Sequence, residues 1–248
     1  MHPPEFFLFA IPAVVVLGLA KGGFIGLGAL GLPLFALGVN PITAAAVLLP
    51  ILLLQDVVSI GAYRRTWNRR VLITTVPGAA FGVFLGWWFA VLVTVEMVLA
   101  VVGIIAITFG VYRLWAENLS ERDLLDRAPT WTGSLFGMAS GFTSQVAHAG
   151  GPPFQMYVMP LRLSRDVFVG TTAIFFGILN WMKVPAYWAL GQFTSENLVT
   201  SLVLAPLAVT SSLLGVRLVR HVRTNQFYVV IYILMILTGC KLVADAVS

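Results

Sequence analysis

Apolar residues run along the chain in long, nearly uncharged blocks separated by short polar joints. Ten apolar segments can be marked, at about 6–20, 22–38, 41–62, 71–92, 94–115, 131–147, 149–160, 167–188, 196–216 and 226–246. Uncharged runs cover 22–55, 71–95, 128–161 and 197–216, each at or above the roughly 18 residues that cross hydrocarbon as a helix. Spanning elements must satisfy their own backbone groups, so they are helices or a closed barrel, and the runs lack the period-2 alternation of barrel strands. The pattern predicts an all-α polytopic membrane protein in which several segments are too short to span.

The longest polar stretch, Trp115 to Pro129, carries four acids and two arginines and is the natural joint between two halves. We read 1–115 as a first membrane repeat, 116–130 as a cytoplasmic connecting loop and 131–248 as a second repeat. Sliding the chain on itself by 119 residues brings Gly18, Ala20, Gly22, Gly31, Pro33, Phe35, Val39 and Pro41 onto Gly137, Ala139, Gly141, Gly150, Pro152, Phe154, Val158 and Pro160. Eight of the twenty-four positions from 18 to 41 thus agree with those from 137 to 160, which points to an internal duplication.

Arginine placement gives the two halves opposite orientations, because cytoplasmic loops collect Lys and Arg. The loop after the third segment is basic in the first half (Arg64, Arg65, Arg69, Arg70), and the next holds only Glu96. In the second half the order reverses: Glu196 alone, then Arg217, Arg220 and Arg223. Two inverted-topology repeats of about five helical segments follow, with both termini outside. The first two segments of each repeat must enter and return, so they are expected to be short or broken helices. Small-xxx-small spacing offers a second meaning for the glycines. For Gly78, Gly82 and Gly86 close packing is the preferred reading. For the repeated pairs Gly18/Gly22 and Gly137/Gly141, packing and a helix break both stand.

Composition agrees with the pattern. Of 248 residues 59% are apolar and 10% charged, with a mean hydropathy of +0.93, whereas soluble domains are about a quarter charged. The first apolar run lacks a basic leader and a small-residue cleavage site, so it does not read as a cleaved signal peptide. The net charge of +5 lies in short loops, where it reports topology rather than nucleic-acid binding. One cysteine, Cys240, and three scattered histidines, at 2, 148 and 221, give no basis for a disulfide or metal centre. Gly26-Leu-Gly28-Ala-Leu-Gly31 matches a dinucleotide fingerprint in letters but lacks a βαβ context, and no Walker-type phosphate loop exists. No cofactor is expected.

Candidate chemistry sits where charge enters the apolar blocks. Apart from the peripheral Lys241, these charges are Lys21, Asp56 and Lys183, each costing roughly 2.5–3.5 kcal/mol at a helix centre on insertion scales. Asp56 can neutralise one lysine as a structural ion pair, or couple transport to protons, as can His148. One lysine then remains for an anion, and Lys183 is preferred, since Lys21 can alternatively snorkel to the surface. Thr143-Ser144-Gln145-x-x-His148 forms a polar patch with no counterpart in Phe24 to Ala29. Ser144, Gln145 and His148 can donate hydrogen bonds to oxyanions. Gly22, Gly150 and Gly151 mark backbone breaks whose amides can do the same. Gln55 and Asn180 fall in equivalent places at an offset of 125, Thr171 and Thr172 can line a path or bond between helices, and Trp181 can line a cavity. Most other tryptophans fall near segment ends, as in an interfacial belt.

The stretch Ala20-Lys-Gly-Gly-Phe-Ile-Gly-Leu-Gly-Ala-Leu-Gly-Leu-Pro33, with Gly137 to Pro153, resembles the paired glycine-rich signatures of the TauE/SafE family of sulfite and organosulfonate exporters. Thr171-Thr172 followed by Asn180-x-x-Lys183-x-Pro185-x-Tyr187 also resembles that family's pattern, and the resemblance covers nearly the whole chain. It implies export of a small sulfur-containing anion or a related carboxylate across the inner membrane, without enzymatic chemistry. Lys21, and Leu32 opposite Gly151, depart from symmetry and make two equivalent sites less expected. Two rivals stand beside this reading. One is an intramembrane enzyme using Ser144, His148 and Asp56, which lacks any HExxH or Gly-x-Ser-x-Gly motif. The other is a passive anion channel. A homodimer is compatible with the sequence.

Overall fold

The computed structural model describes residues 4–89, 92, 94–115, 130–222 and 224–247. Most of the connecting loop at 116–130 therefore lies outside the described residues, with Arg122 and Arg127. The elements are α1 (Pro4–Gly22), a 3₁₀ turn (Ile25–Leu30), α2 (Gly31–Ala36), α3 (Pro41–Tyr63), α4 (Arg69–Trp88), α5 (Val95–Trp115), α6 (Thr130–Ala147), α7 (Gly151–Val158), a 3₁₀ turn (Met159–Leu161), α8 (Arg165–Ala189), α9 (Ser195–Val219) and α10 (Thr224–Val247). The described residues contain no strand. Each of the ten apolar segments corresponds to one helix or to one short helix with its 3₁₀ turn.

Local chemistry sets the boundaries. Asn40, Asn68 and Thr194 are N-caps whose side chains accept from the amides of Ile42, Val71 and Asn197, satisfying donors that the first helical turn leaves free. After α1 the chain turns at Gly23 with φ +142, a conformation that L side chains rarely adopt. Six described helices are long and apolar enough to cross a membrane: Glu5–Gly22, Ile42–Tyr63, Arg69–Trp88, Arg165–Ala189, Ser195–Val219 and Val229–Val247. By contrast α2 has six residues and α7 eight. At 1.5 Å per residue they rise about 9 and 12 Å, far less than the roughly 30 Å hydrocarbon core. The second segment of each half is thus a short helix, as expected, whereas the first segments, α1 and α6, are continuous helices of 19 and 18 residues and the breaks fall after them; the chain is a multi-pass membrane protein.

Packing joins the halves to each other. The most extensive contacts pair α4 with α6, α5 with α10 and α1 with α9, while α3 lies between α8 and α9, and α4 also meets α8. Exchanging α1–α5 for α6–α10 in order maps the α1–α9 pair onto α6–α4 and α3–α9 onto α8–α4. The same exchange leaves α3–α8 and α5–α10 unchanged.

Glycines set how closely these pairs approach. A Cβ on Gly82 would stand 2.1 Å from the Met138 carbonyl oxygen, one on Gly78 1.9 Å from that of Ser134, and one on Gly137 2.1 Å from that of Thr75. On the other side, a Cβ on Gly18 would meet Ser211 Oγ at 2.0 Å, and one on Gly22 the backbone of Gly215 at 2.4 Å. Both the Gly78 series and the repeated pairs therefore bring helix backbones into contact, which is how helices associate where lipid is as apolar as the side chains. Gly22 combines this with the break, since α1 ends there.

Two substitutions separate contact from composition. Gly82→Val should lower the unfolding temperature of the detergent-solubilised protein sharply, because overpacking typically costs about 1–3 kcal/mol and here the obstacle is backbone. Gly61→Ala, where nothing lies within 4 Å of the new methyl, should raise it slightly, as helical Ala is favoured over Gly by about 1 kcal/mol.

Candidate functional site

The breaks in the two halves differ in kind, and the site follows from that difference. In the first half the Gly23 turn leads into a 3₁₀ segment that feeds α2, whose first amide already donates to Gly28 O. In the second half α6 continues through Ala147, and the chain turns at His148, φ +52, a left-handed conformation uncommon for a side-chain-bearing residue. Gly150 then packs on α6, where Ser140 Oγ donates to its carbonyl at 2.7 Å and a Cβ would stand 2.6 Å from Ser140 O. Next begins α7, with Pro152 and Pro153 in its first turn. Proline has no N–H, so this helix start offers an acceptor fewer amides than a helix N-terminus ordinarily exposes. Most donors around the break are side chains instead.

These side chains converge on a cavity of about 70 Å³ between the halves. From the first half Leu17, Ala20 and Lys21 of α1, Ile25 and Gly28 of the 3₁₀ turn, and Leu32, Leu48 and Leu52 line it. The second half contributes Ser144, His148, Gly151 and one face of α8: Val169, Thr172, Ala173, Phe176, Asn180 and Lys183. Helical spacing places the last four residues on one side, because positions three and four apart share a face. Trp181 lies off that face and is 63% exposed, so it sits on the outer surface and lines no part of this cavity.

Two lysines enter the wall in different states. Lys21 Nζ donates to Asp56 Oδ1 at 2.5 Å, and its ammonium lies 5.3 Å from the Phe176 ring centroid. The other Asp56 oxygen accepts from Asn180 Nδ2 at 2.6 Å. Lys21 therefore does not snorkel; it is held by an ion pair whose carboxylate is 2% exposed. Lys183, 1% exposed, donates to Ser144 Oγ at 3.2 Å and Ser144 O at 3.4 Å, and among the described residues it forms no salt bridge. His148 is half-buried, edge-on to Tyr187 with ring centroids 6.2 Å apart, and its two ring nitrogens are buried without a hydrogen-bond partner among the described residues. An unpaired buried polar group costs about 1–3 kcal/mol, so His148 leaves hydrogen-bonding capacity unused in the cavity wall.

Of the residues singled out from sequence, Lys21, Ser144, His148, Gly151, Thr172, Asn180 and Lys183 line the cavity, with Asp56 one hydrogen bond behind the wall. The others lie elsewhere. Gly22 packs on α9, and its carbonyl accepts from Tyr63 Oη at 3.1 Å. Gln55 Nε2 donates to Val14 O at 3.1 Å. The side chain of Gln145 lies against Gly86 of α4. Thr171 Oγ1 accepts from the Asn68 amide at 2.8 Å and so ties α8 to the α3–α4 loop. Ser144, His148 and Asp56 do not form a linked catalytic set: no hydrogen bond joins His148 to either among the described residues. A further residue, Gln155, escaped the sequence reading. It is fully buried, both its amide atoms lack partners among the described residues, and its Nε2 lies near Gly151. Its signal was present, since at the 119-residue offset it stands opposite Ala36, a polar departure like that of the 143–148 patch.

No curated protein and no solved structure matches the chain. A family model described as "Sulfite exporter TauE/SafE" matches residues 10–242. The match spans the broken segments of both halves and every residue of the cavity wall, and the chain belongs to the TauE/SafE family of sulfite exporters.

Proposed function

We propose that the cavity is the substrate site of a secondary transporter that exports a small sulfur-containing anion, sulfite or a short sulfonate, across the inner membrane. The observation that carries this reading is Lys183: a fully buried lysine without a carboxylate partner among the described residues, beside Ser144 and the unpartnered His148. An oxyanion would supply the missing charge and accept from all three. Size supports the same class. One water needs roughly 10–15 Å³, so a cavity of about 70 Å³ suits a handful of heavy atoms, with Leu17, Ile25, Leu32 and Phe176 available to a short alkyl group.

Two repeats, 1–115 and 131–248, related by inverted topology would bring this site to their interface near the midplane. The exchange symmetry of the helix pairs and the alternation of arginine-rich loops both support that arrangement, which puts both termini outside. Export then needs no ATP. With a negative cytoplasm, each net negative charge leaving gains roughly 2.3 kcal/mol per 100 mV. Coupling to protons through Asp56 or His148 would add to this, and it is excluded if flux ignores a pH gradient at fixed voltage.

The reading is tested with proteoliposomes held inside-positive. Labelled sulfite should enter saturably and be accelerated by substrate on the far side, whereas a channel would show neither saturation nor acceleration. Lys183→Ala should lower kcat/KM about tenfold or more, as a hydrogen bond to a charged group is worth roughly 1.5–3 kcal/mol. Preference for small carboxylates over sulfite in the same assay would move the substrate class, and Trp181→Ala should transport like wild type.

A steric test is independent of charge. A Cβ on Gly28 would meet nothing closer than Ala20 Cβ at 3.7 Å, so Gly28→Ala should fold and keep transport. Gly28→Leu should fold with an unfolding temperature near wild type and lose sulfite uptake, because its side chain projects into the cavity. Full uptake by the leucine variant would move the site elsewhere.

A further inference from the structure

The cavity's formal charges are three, and they come from three helices. Lys21 on α1 and Lys183 on α8 face it directly, while Asp56 on α3 stands behind, holding Lys21 with one oxygen and Asn180 with the other. Among the described residues, His148 is the remaining titratable lining group, and no other carboxylate lines the wall. Asp56 is 2% exposed. Its charge is therefore poorly screened by solvent and is felt by whatever occupies the cavity beside Lys21.

We propose that Asp56 is a valence filter: by cancelling Lys21 it leaves the cavity one net positive charge, so that the site selects monovalent over divalent oxyanions of the same size. This deepens the substrate reading above and rests on it. A monovalent anion beside Lys183 neutralises the buried cluster. A divalent one leaves an unbalanced negative charge in a low-dielectric interior, where such charge is strongly disfavoured. Without Asp56 the two lysines would present two positive charges and the order would shift toward divalent anions. The geometry also shows why a second lysine is kept together with a carboxylate. Lys21 orients Asp56 from one side and Asn180 from the other, so the negative charge is fixed on the α3–α8 seam and cannot swing into the cavity.

The test uses methanesulfonate and sulfate, which are similar in size and keep one and two negative charges across neutral pH. Binding of each to the purified full-length protein is measured calorimetrically, and the ratio of the two Kd values is read. Wild type should favour methanesulfonate at least about tenfold, and Asp56→Asn should move the ratio toward sulfate by about tenfold or more. Moving the carboxylate across its own hydrogen bond, in the double variant Asp56→Asn with Asn180→Asp, should return the preference to methanesulfonate, an outcome that a merely structural role for Asp56 would not produce. If Asp56→Asn does not fold, Asn180→Asp alone reads the same effect with opposite sign: an added carboxylate should weaken sulfate binding more than methanesulfonate binding.

A ratio that stays within twofold of wild type in these variants, with both anions still bound, overturns the filter and leaves the site standing. Binding of neither anion by the wild type overturns the site reading itself, and the filter with it.

Discussion

Hydrocarbon offers no hydrogen-bond partner, and every feature of this molecule is arranged around that fact. A chain that crosses lipid must close its backbone hydrogen bonds within helices, so non-helical backbone is tolerable only where protein surrounds it. Here the breaks at Gly23 and at His148 to Gly150 are enclosed by other helices. Ser140 covers one Gly150 carbonyl, and Tyr63 covers that of Gly22. The close helix pairs that make this enclosure possible depend in turn on glycine. With no hydrophobic drive between helices in lipid, contact requires backbones to approach within side-chain distance. Gly78, Gly82, Gly137 and Gly141 supply that approach between α4 and α6, and Gly18, Gly22 and Gly215 between α1 and α9.

The same constraint explains the distribution of polar groups. A charge in the interior persists only with a partner or a purpose. Lys21 and Asp56 are partners across α1 and α3, and Asn180 extends them to α8, so one short chain of bonds ties three helices together. Among the described residues, Lys183 bonds only to Ser144, and His148 has no hydrogen-bond partner. The asymmetry between the halves follows as well. The first half lines the cavity with apolar wall and an ion-paired lysine, and the second with Ser144, His148, Asn180 and Lys183.

The class of fold was legible in the chain because lipid imposes a one-dimensional rule. Segment length and apolar content decide what can span, and ten segments read from the sequence correspond to the ten helices. The second segments could be read as short from the position of their glycines and prolines. The polar patch of Ser144 and His148, and the charges Lys21, Asp56 and Lys183, were visible for a related reason: any polar group in such a chain is conspicuous. Less legible was which of these share a space. Gln55 sits one residue from Asp56 yet faces Val14, and Thr171 sits one residue from Thr172 yet caps a loop. Adjacent helical residues lie about 100° apart around the axis, so sequence proximity says nothing about a common cavity.

The sequence by itself therefore determined that the chain is a helical, multi-pass membrane protein with glycine-rich breaks and three charges within its apolar segments or at their breaks, since hydropathy and composition are local properties that lipid reads directly. Only the tertiary structure decided that Asp56 belongs to Lys21 and not to Lys183, that Gln145 faces α4 and Trp181 the exterior, and that Gln155 is buried beside Gly151. Those outcomes depend on the rotation of each helix about its axis and on which helices touch. Both are fixed by glycine contacts between segments far apart in the chain, and no local pattern records them.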